Sequence, residues 1–301
     1  MASLTLLRLG GRGGRVRRGG RVDKVAYLLV APAMLLTGLF FFVPMVLSLY
    51  WSFNSYNGLQ PPQWVAGSNY ADLAMDPSFR HAVKNSVVFT VVTMLIGPAL
   101  GLVSALLLNR RIWARSFFRS VFFLPVTLSL VVVGTMWKIL LAENGLVNQA
   151  LGLVGISGRA WLDDPSTSLA AVSLASIWQG FGFETVIFLA ALQTISADLY
   201  EAARMDGAGP FQSFKAVTLP SLRPTVFFVY VVGVIGALQA FDQMYVMTSG
   251  GPLGSTTTVV FYLVQRFQAF DLGHASAAAY LLVVVLAVVS AAQLRLSKRL
   301  S

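Results

Sequence analysis

The sequence comprises 301 residues, of which 56% are hydrophobic and 11% are charged. Soluble domains carry about 25% charged residues, so this composition excludes an ordinary water-soluble globular protein and predicts an integral membrane protein. The formal net charge is +10, a sign that would also fit a nucleic-acid-binding protein. The absence of cysteine excludes disulfides, cysteine-ligated zinc and thiol catalysis.

A basic, glycine-rich segment occupies residues 1–24 and contains the run GGRGGRVRRGG. We interpret it as a cytoplasmic tail that follows the positive-inside rule, and we predict no nucleic-acid partner. Arg/Gly-rich runs can also bind RNA, so an RNA-tethering or scaffold role is an alternative interpretation. The apolar run that follows is too long for a cleavable signal peptide.

Six stretches are long and apolar enough to cross a membrane, since a spanning helix needs roughly 20 apolar residues. They cover about residues 25–51, 83–108, 117–140, 168–193, 223–247 and 276–295. The predicted fold class is therefore an all-α integral membrane protein with six transmembrane helices. Residues 25–301 are expected to form one transmembrane domain in contact with membrane lipid.

Lysine and arginine are distributed unequally between the two sides that six spans define. Most of the 22 basic residues lie in the tail, after the second span, between the fourth and fifth spans, and at the C-terminus. Because positive residues favour the cytoplasmic side, both termini are predicted to lie inside the cell. The same rule places the segment between the fourth and fifth spans in the cytoplasm.

That segment, residues 198–220, is the longest polar interruption between the later spans, and its first half predicts a short helix. Asp198 and Glu201 have capping-box spacing, which predicts a helix start at Asp198. The residues from Leu199 to Asp206 are mostly good helix formers. Gly207 stands where helices commonly end in a left-handed residue.

The second half of the segment predicts another short helix. Pro210 is expected at its first position, where the missing N–H is harmless. The helix is expected to continue to Val217 and to end at Leu219 and Pro220, because proline disfavours a continuing helix. The segment would thus be two short helices between two membrane spans.

This segment resembles the EAA loop of binding-protein-dependent ABC importer permeases. It reads EAARMDGAGPFQSFKAVTLP, and the family pattern is E-A-A, a glycine four residues on, and a hydrophobic-x-L-P ending. The longer form E-A-A-x-x-D-G-A resembles the carbohydrate-uptake branch. The resemblance implies a cytoplasmic coupling helix between helices 4 and 5. The residues implied to couple to an ATPase are Glu201, Ala202, Ala203, Met205, Asp206, Gly207, Leu219 and Pro220.

Two predicted outer segments are similar to the same family. Residues 64–85 read WVAGSNYADLAMDPSFRHAVKN and look like the family's segment before the second span. The Gly-Gly-Pro…Thr-Thr pattern from Gly250 to Thr258 resembles one of the two paired permeases of sugar importers.

The resemblance implies a permease subunit of an ATP-driven importer in a bacterial cell (inner) membrane, translocating a sugar or sugar-like solute. The implied partners are a second homologous permease, two ATP-binding subunits and an extracytoplasmic solute-binding protein. Because the sequence contains no G-x-x-x-x-G-K-[ST] motif, ATP and Mg²⁺ are expected on the partner subunits. We predict no catalytic residue, cofactor or metal on this chain.

Polar residues inside the predicted spans are candidates for the solute path, because polar groups are costly in lipid. The residues of the fourth and fifth spans that we assign to it are Gln179, Glu184, Gly236, Gln239, Ala240, Asp242 and Tyr245. Gln239 and Asp242 are three residues apart and are expected on one helix face. The small residues at 233, 236, 237 and 240 fit either close helix packing or a roomy passage, and the sequence leaves both open.

Three alternatives remain open from the sequence. The chain fits an ABC permease for glycerol phosphate, another phosphodiester or a polyamine. It also fits an ion-coupled secondary transporter in which Glu184 and Asp242 carry protons. A non-transporting scaffold with the basic tail as its functional part is the third.

Overall fold

The computed structural model describes residues 24–110 and 115–300, and this described part is almost wholly helical. The predicted basic tail lies outside the described residues except for its last position. The helices are α1 (Lys24–Thr37), α2 (Val43–Ser52), α3 (Ser68–Met75), α4 (Pro77–Asn109), α5 (Arg115–Thr127), α6 (Leu130–Leu140), α7 (Leu146–Leu153), α8 (Ser168–Gln193), α9 (Ala197–Met205), α10 (Pro210–Ser213), α11 (Leu219–Leu238), α12 (Asp242–Thr248), α13 (Val259–Gln268) and α14 (Leu272–Leu300). The π-helical segments Gly38–Phe42 and Phe214–Thr218 join α1 to α2 and α10 to α11. Strands β1 (Asn54–Ser55) and β2 (Gln63–Trp64) pair antiparallel.

Long apolar helices dominate the described residues. Those long and apolar enough to cross a membrane run over Tyr27–Ser52, Pro77–Asn109, Ser168–Gln193, Pro210–Leu238 and Leu272–Leu296. The bent pair α5 and α6 brings the number to 6 if the pair is one span. This agrees with the six-helix prediction, and the fourth predicted stretch coincides with α8.

The third predicted span is not one straight helix, so the expectation of a continuous span over 117–140 is wrong. α5 and α6 meet at an angle of 100°. The side chain of Ser129 accepts a hydrogen bond from the N–H of Val131 at 3.3 Å and starts α6 afresh. Hydropathy detects the apolar run but not a cap inside it, which is why the bend was missed.

The fifth predicted span, residues 223–247, is also wrong as one helix. α11 ends at Leu238 and α12 begins at Asp242. The carbonyl of Ala240, freed by this break, accepts a hydrogen bond from Thr258 Oγ1 at 2.8 Å. Gln239 and Asp242 therefore do not share a helix face, and Ala240 lies outside the helix.

The sequence predicted that the second short helix of residues 198–220 ends at Leu219 and Pro220. This prediction is wrong. α10, the π-helical segment and α11 form one helix over Pro210–Leu238. The N–H of Leu219 bonds to the carbonyl of Phe214, five residues back. Such a wide turn moves carbonyls away from the next proline ring, so Pro220 fits within the helix. The first π-helical segment likewise ends two residues before Pro44.

Among the described residues, those from Ser48 onward form one compact unit, and those up to Leu47 form another. In the larger unit α4 packs along α8, and both contribute to a buried cluster that includes Leu108, Phe188 and Leu222. α8 also approaches α5 so closely that a Cβ at Gly182 would collide with the carbonyl of Phe122. α8 is therefore the central helix of this unit.

Candidate functional site

A cavity of about 640 Å³ lies among α4, α5, α8, α11 and the break before α12. It is lined by polar side chains and by several phenylalanines. The predicted path residues that line it are Gln179, Glu184, Gly236, Gln239, Ala240 and Asp242. The helix breaks thus gather residues from the predicted fourth and fifth spans around one space.

Gln179 connects both helix breaks at this cavity. Its Nε2 donates to the carbonyl of Leu128, 3.2 Å away between α5 and α6. Its Oε1 accepts a hydrogen bond from Nε2 of Gln243 on α12, at 3.3 Å. The carbonyl of Leu128 lies at a helix end, so the bond satisfies an acceptor that α5 leaves free. Gln243 was missed as a cavity residue, although its amide in an apolar stretch was a visible signal.

Glu184 lies on α8 where that helix crosses α4. Its Oε2 is buried and has no hydrogen-bond partner. A Cβ at Gly97 would lie 3.1 Å from this oxygen, and a Cβ at Gly101 would lie 2.7 Å from the Cβ of Glu184. Two glycines of α4 therefore make the room that the carboxyl group occupies.

The small residues near the end of α11 play two different parts. A Cβ at Gly233 would collide with the side chain of Met94 on α4, so this glycine serves close packing. A Cβ at Gly236 would meet nothing within 4 Å, so this glycine widens the cavity. Both interpretations left open by the sequence therefore apply, at different positions.

Tyr245 is not among the residues that line the cavity. Its ring stacks on Phe241 with the ring centroids 5.2 Å apart, and it also approaches Phe261. Tyr245 therefore belongs to a cluster of aromatic rings with Phe241 and Phe261 and not to the cavity lining.

The predicted coupling segment begins with α9, whose start differs from the sequence prediction. Ser196 is the N-cap, and its Oγ accepts a hydrogen bond from the N–H of Asp198 at 3.3 Å. Glu201 does not form a capping box but lies 3.8 Å from Arg204. Asp198 is in the first turn, where its charge favours the helix N-terminus. The predicted start was wrong because Ser196, an equally good cap, stands two residues earlier.

Gly207 ends α9 in the left-handed conformation, as predicted, with φ of +79°. The N–H of Ala208 bonds to the carbonyl of Ala203 at 2.9 Å, and that of Gly207 bonds to the carbonyl of Arg204 at 3.0 Å. This bond pair is the Schellman pattern that glycine allows. Pro210 then begins the next helix at its first position, as expected.

α9 is joined by a hydrogen bond to the N-terminal part of the helix Pro210–Leu238. Apolar side chains of this segment remain exposed to solvent. Tyr200 Oη and Thr218 Oγ1 are 2.9 Å apart and join α9 to the π-helical segment. Met205 is 89% exposed and Phe211 is 78% exposed. Ala202 and Ala203 lie in α9, and Leu219 and Pro220 open α11.

A charged cluster that the sequence analysis missed joins α13 to the start of α4. The carboxylate of Asp76 accepts hydrogen bonds from Ser78 N–H at 2.8 Å, from Tyr262 Oη at 2.6 Å and from Arg266 Nη2 at 2.6 Å. Burial raises the pKa of the Asp76 carboxyl, but the bonds from Tyr262, Ser78 and Arg266 outweigh it and lower the pKa overall. Arg266 also lies 3.3 Å from Asp271. The Asp-Pro-Ser start of α4 was a readable cap, whereas its distant partners gave no local signal.

Comparisons with known proteins agree with this architecture. The family model described as "Binding-protein-dependent transport system inner membrane component" matches residues 97–301. The sulfoquinovosyl glycerol transport system permease protein SmoG of Agrobacterium fabrum is 36% identical, over 90% of this chain and 90% of that protein. The lactose transport system permease protein LacF of Rhizobium radiobacter is 34% identical, over 89% of this chain and 92% of that protein.

A solved structure shares the fold over nearly its whole length. It is a bacterial ABC transporter involved in the import of the acidic polysaccharide alginate, and it superposes with a TM-score of 0.82 at 25% sequence identity. The match covers 92% of this chain and 96% of that chain. The chain therefore belongs to the family of binding-protein-dependent transport system inner membrane components, and it is a permease subunit of an ABC importer.

Proposed function

We propose that this permease carries a sugar or a sugar-containing solute across a bacterial inner membrane. The lactose and sulfoquinovosyl glycerol names of two relatives support this class. The observation that carries it is the cavity, whose lining combines amides such as Gln179 and Gln243 with rings such as Phe181 and Phe241. Amides match the hydroxyl groups of a sugar, and aromatic faces match its C–H surfaces.

The inner end of the path is proposed to be the coupling segment, residues 198–220, which would lie on the cytoplasmic side together with both termini. Its support is the uncovered apolar surface of Met205 and Phe211, which suits a helix that lies in a groove of another protein. Glu201, Asp206 and the small Ala202 and Ala203 would contact that groove. Gly207, Leu219 and Pro220 would set the shape of the segment.

The partners proposed for the complex are a second homologous permease, two ATP-binding subunits and an extracytoplasmic solute-binding protein. ATP and Mg²⁺ would be held by the ATP-binding subunits. The binding protein would deliver the solute to the outer loops, including the Gly-rich loop, residues 249–258, before α13.

The proposed mechanism is a rigid rocking of the helices that drives the cavity between outward-open and inward-open states. Closure of the ATP-binding subunits would move α9. The bond between Tyr200 and Thr218 would pass that movement to the base of the helix Pro210–Leu238. Because this helix also lines the cavity, the movement would reach the solute.

Purification of the chain in mild detergent tests the proposal. We expect a second permease and an ATP-binding subunit to co-purify, with ATPase activity that Glu201→Ala uncouples from solute. Glu143→Ala, an exposed acid in the loop before α7, is the matched control and should retain coupling. The sugar class is tested by screening the binding protein against sugars. Recovery of the chain alone, with uptake that follows the proton gradient instead of ATP, would reject the importer proposal.

A further inference from the structure

The strongest unexplained feature of the cavity is the carboxylate of Glu184. The residue is 8% exposed, and its buried Oε2 lacks a hydrogen-bond partner. Leaving a buried charged acceptor unpaired is costly, so the position of this carboxylate calls for a functional explanation. Since Glu184 lines the cavity, a solute inside the cavity lies beside its side chain.

The space for this carboxylate is built by α4. Gly97 and Gly101 stand one helical turn apart and face Glu184, and a Cβ at Gly101 would clash with it. A larger residue at either position would displace the side chain. The contact therefore places an acid beside the solute path without closing the path.

The charges around the cavity have one sign. Among the described residues that line it, Glu184 and Asp242 are acidic and none is Lys, Arg or His. Asp242 is exposed at the start of α12. An anion entering this space would meet two carboxylates and no counter-charge, in surroundings where screening is weaker than in water.

We propose that Glu184 is a specificity-determining residue that makes the cavity select against anionic solutes. The claim rests on the proposed function and narrows it: the carbohydrate carried is one without carboxylate, sulfate, sulfonate or phosphate groups. Glu184 accepts hydrogen bonds from its hydroxyl groups, and the neighbouring glutamine amides complete the polar lining. The shared fold does not decide this, because the alginate importer carries an acidic polysaccharide.

Charged thiol reagents measure this selection without knowledge of the solute. The chain has no cysteine, and a Cβ at Gly236 would meet nothing within 4 Å, so Gly236→Cys supplies one reporter in the cavity. The assembled complex is treated with the cationic trimethylammonium-ethyl or the anionic sulfonatoethyl methanethiosulfonate. Modification of this chain is followed by mass. Leu253→Cys, at a position 95% exposed on the Gly-rich loop, gives the reference ratio of the two rates.

We expect the cationic reagent to be favoured at position 236 over the reference position. Glu184→Gln should reduce this preference about tenfold, the effect of removing one close charge in a medium of intermediate dielectric. Glu184→Asp should keep it, since the charge remains. Asp242→Asn is a second charge-removing variant at an exposed position, and it should lower the preference even if Glu184→Gln fails to assemble.

Equal rates for the two reagents at position 236, or a ratio that Glu184→Gln leaves unchanged in an assembled complex, would overturn the proposal. The rates are read in the resting complex without solute. They therefore report the charge of the cavity even if the complex proves not to import a sugar. Loss of ATP-driven sugar uptake with an intact reagent ratio would reject the proposed function instead.

Discussion

At the scale of single residues, the end of α9 depends on the backbone of Gly207. With φ of +79°, this position costs about 1–2 kcal/mol for most residues that carry a Cβ. No neighbouring atom lies within 4 Å of an added Cβ, so the cost is conformational and not steric. The shape of the coupling segment is therefore set by backbone freedom at one position.

Gly207→Ala is expected to impair the coupling of ATPase activity to uptake, with the complex still assembled. Gly207→Asn should be milder, because asparagine tolerates the left-handed conformation better. Gly209→Ala is the control: its φ is −70°, and an added Cβ would make only an ordinary contact with Gln212 at 3.7 Å. Uptake and ATPase rates in proteoliposomes measure the effect. Equal coupling in Gly207→Ala and Gly209→Ala would contradict the assignment.

Asp76 predicts a pH dependence of stability. Its lowered pKa means that its ionised form stabilises the fold above the unfolded pKa of about 4 and that this stability is lost as pH falls through the lower folded pKa. Asp76→Asn should cost about 1–3 kcal/mol near pH 7, because Arg266 loses a charged partner. The difference from the unsubstituted chain should shrink below about pH 4.

Thermal midpoints of the detergent-solubilised complex between pH 3 and 8 check this prediction. Asp72→Asn is the control, since Asp72 is 62% exposed and its ion-pair contact is His274 at 3.6 Å. It should change stability by less than about 1 kcal/mol. An Asp76→Asn variant with an unchanged midpoint at pH 7 would show that the cluster does not hold α13 to α4.

Residues with a local signature could be predicted from the sequence, and residues defined by distant partners could not. The left-handed Gly207 and the helix start at Pro210 follow from glycine and proline chemistry alone. The pairing of Glu184 with Gly97 and Gly101 does not, because it depends on where α4 crosses α8. Sequence reasoning identified the membrane acid and not the space that holds it.

At the scale of elements, the cavity is a product of two broken helices. The breaks between α5 and α6 and between α11 and α12 expose backbone groups that a straight span would satisfy internally. In lipid such groups need partners or a water-filled space. Gln179 donates a hydrogen bond to the carbonyl of Leu128, and Thr258 donates one to the carbonyl of Ala240. Irregular backbone and the cavity proposed as the solute path therefore occur at the same place.

Gln179→Leu should loosen the contact between the two breaks. The substitution removes the bonds to Leu128 and Gln243 and should destabilise the complex by about 1–3 kcal/mol, since it leaves buried polar groups unpaired. Gln243→Leu alone should cost less, because Leu128 keeps its donor. A double-mutant cycle on thermal midpoints measures the coupling, which should be about 0.5–1.5 kcal/mol. Strict additivity would contradict a direct interaction.

The sequence predicted well those helices whose ends coincide with the ends of an apolar stretch. The stretch 168–193 coincides with α8, because polar turn residues flank it and no proline lies within it. The stretches 117–140 and 223–247 are just as apolar but contain a break. The breaks depend on Ser129 and on the hydrogen bond from Thr258 to Ala240, which a hydropathy window averages away.

At the scale of the whole molecule, the cavity and the coupling segment are joined by continuous helix. Pro210–Leu238 begins beside α9 and ends at the cavity. α8 runs from the loop after α7 to Gln193, shortly before Ser196 caps α9. The helix before α9, which is α8, and the helix after it, Pro210–Leu238, therefore both line the cavity. This is the arrangement that rigid coupling requires.

We infer that the coupling segment meets an ATP-binding subunit on the side opposite the Gly-rich loop. Cross-linking from Met205→Cys, in a chain without native cysteine and at a position 89% exposed, tests this contact. With a benzophenone maleimide, which reacts with the introduced thiol and then with any neighbouring chain under light, we expect a product that contains the ATP-binding subunit from Met205→Cys and no such product from Leu253→Cys. A cross-link to that subunit from position 253, or from neither position in an assembled and active complex, would show that the coupling segment does not make this contact.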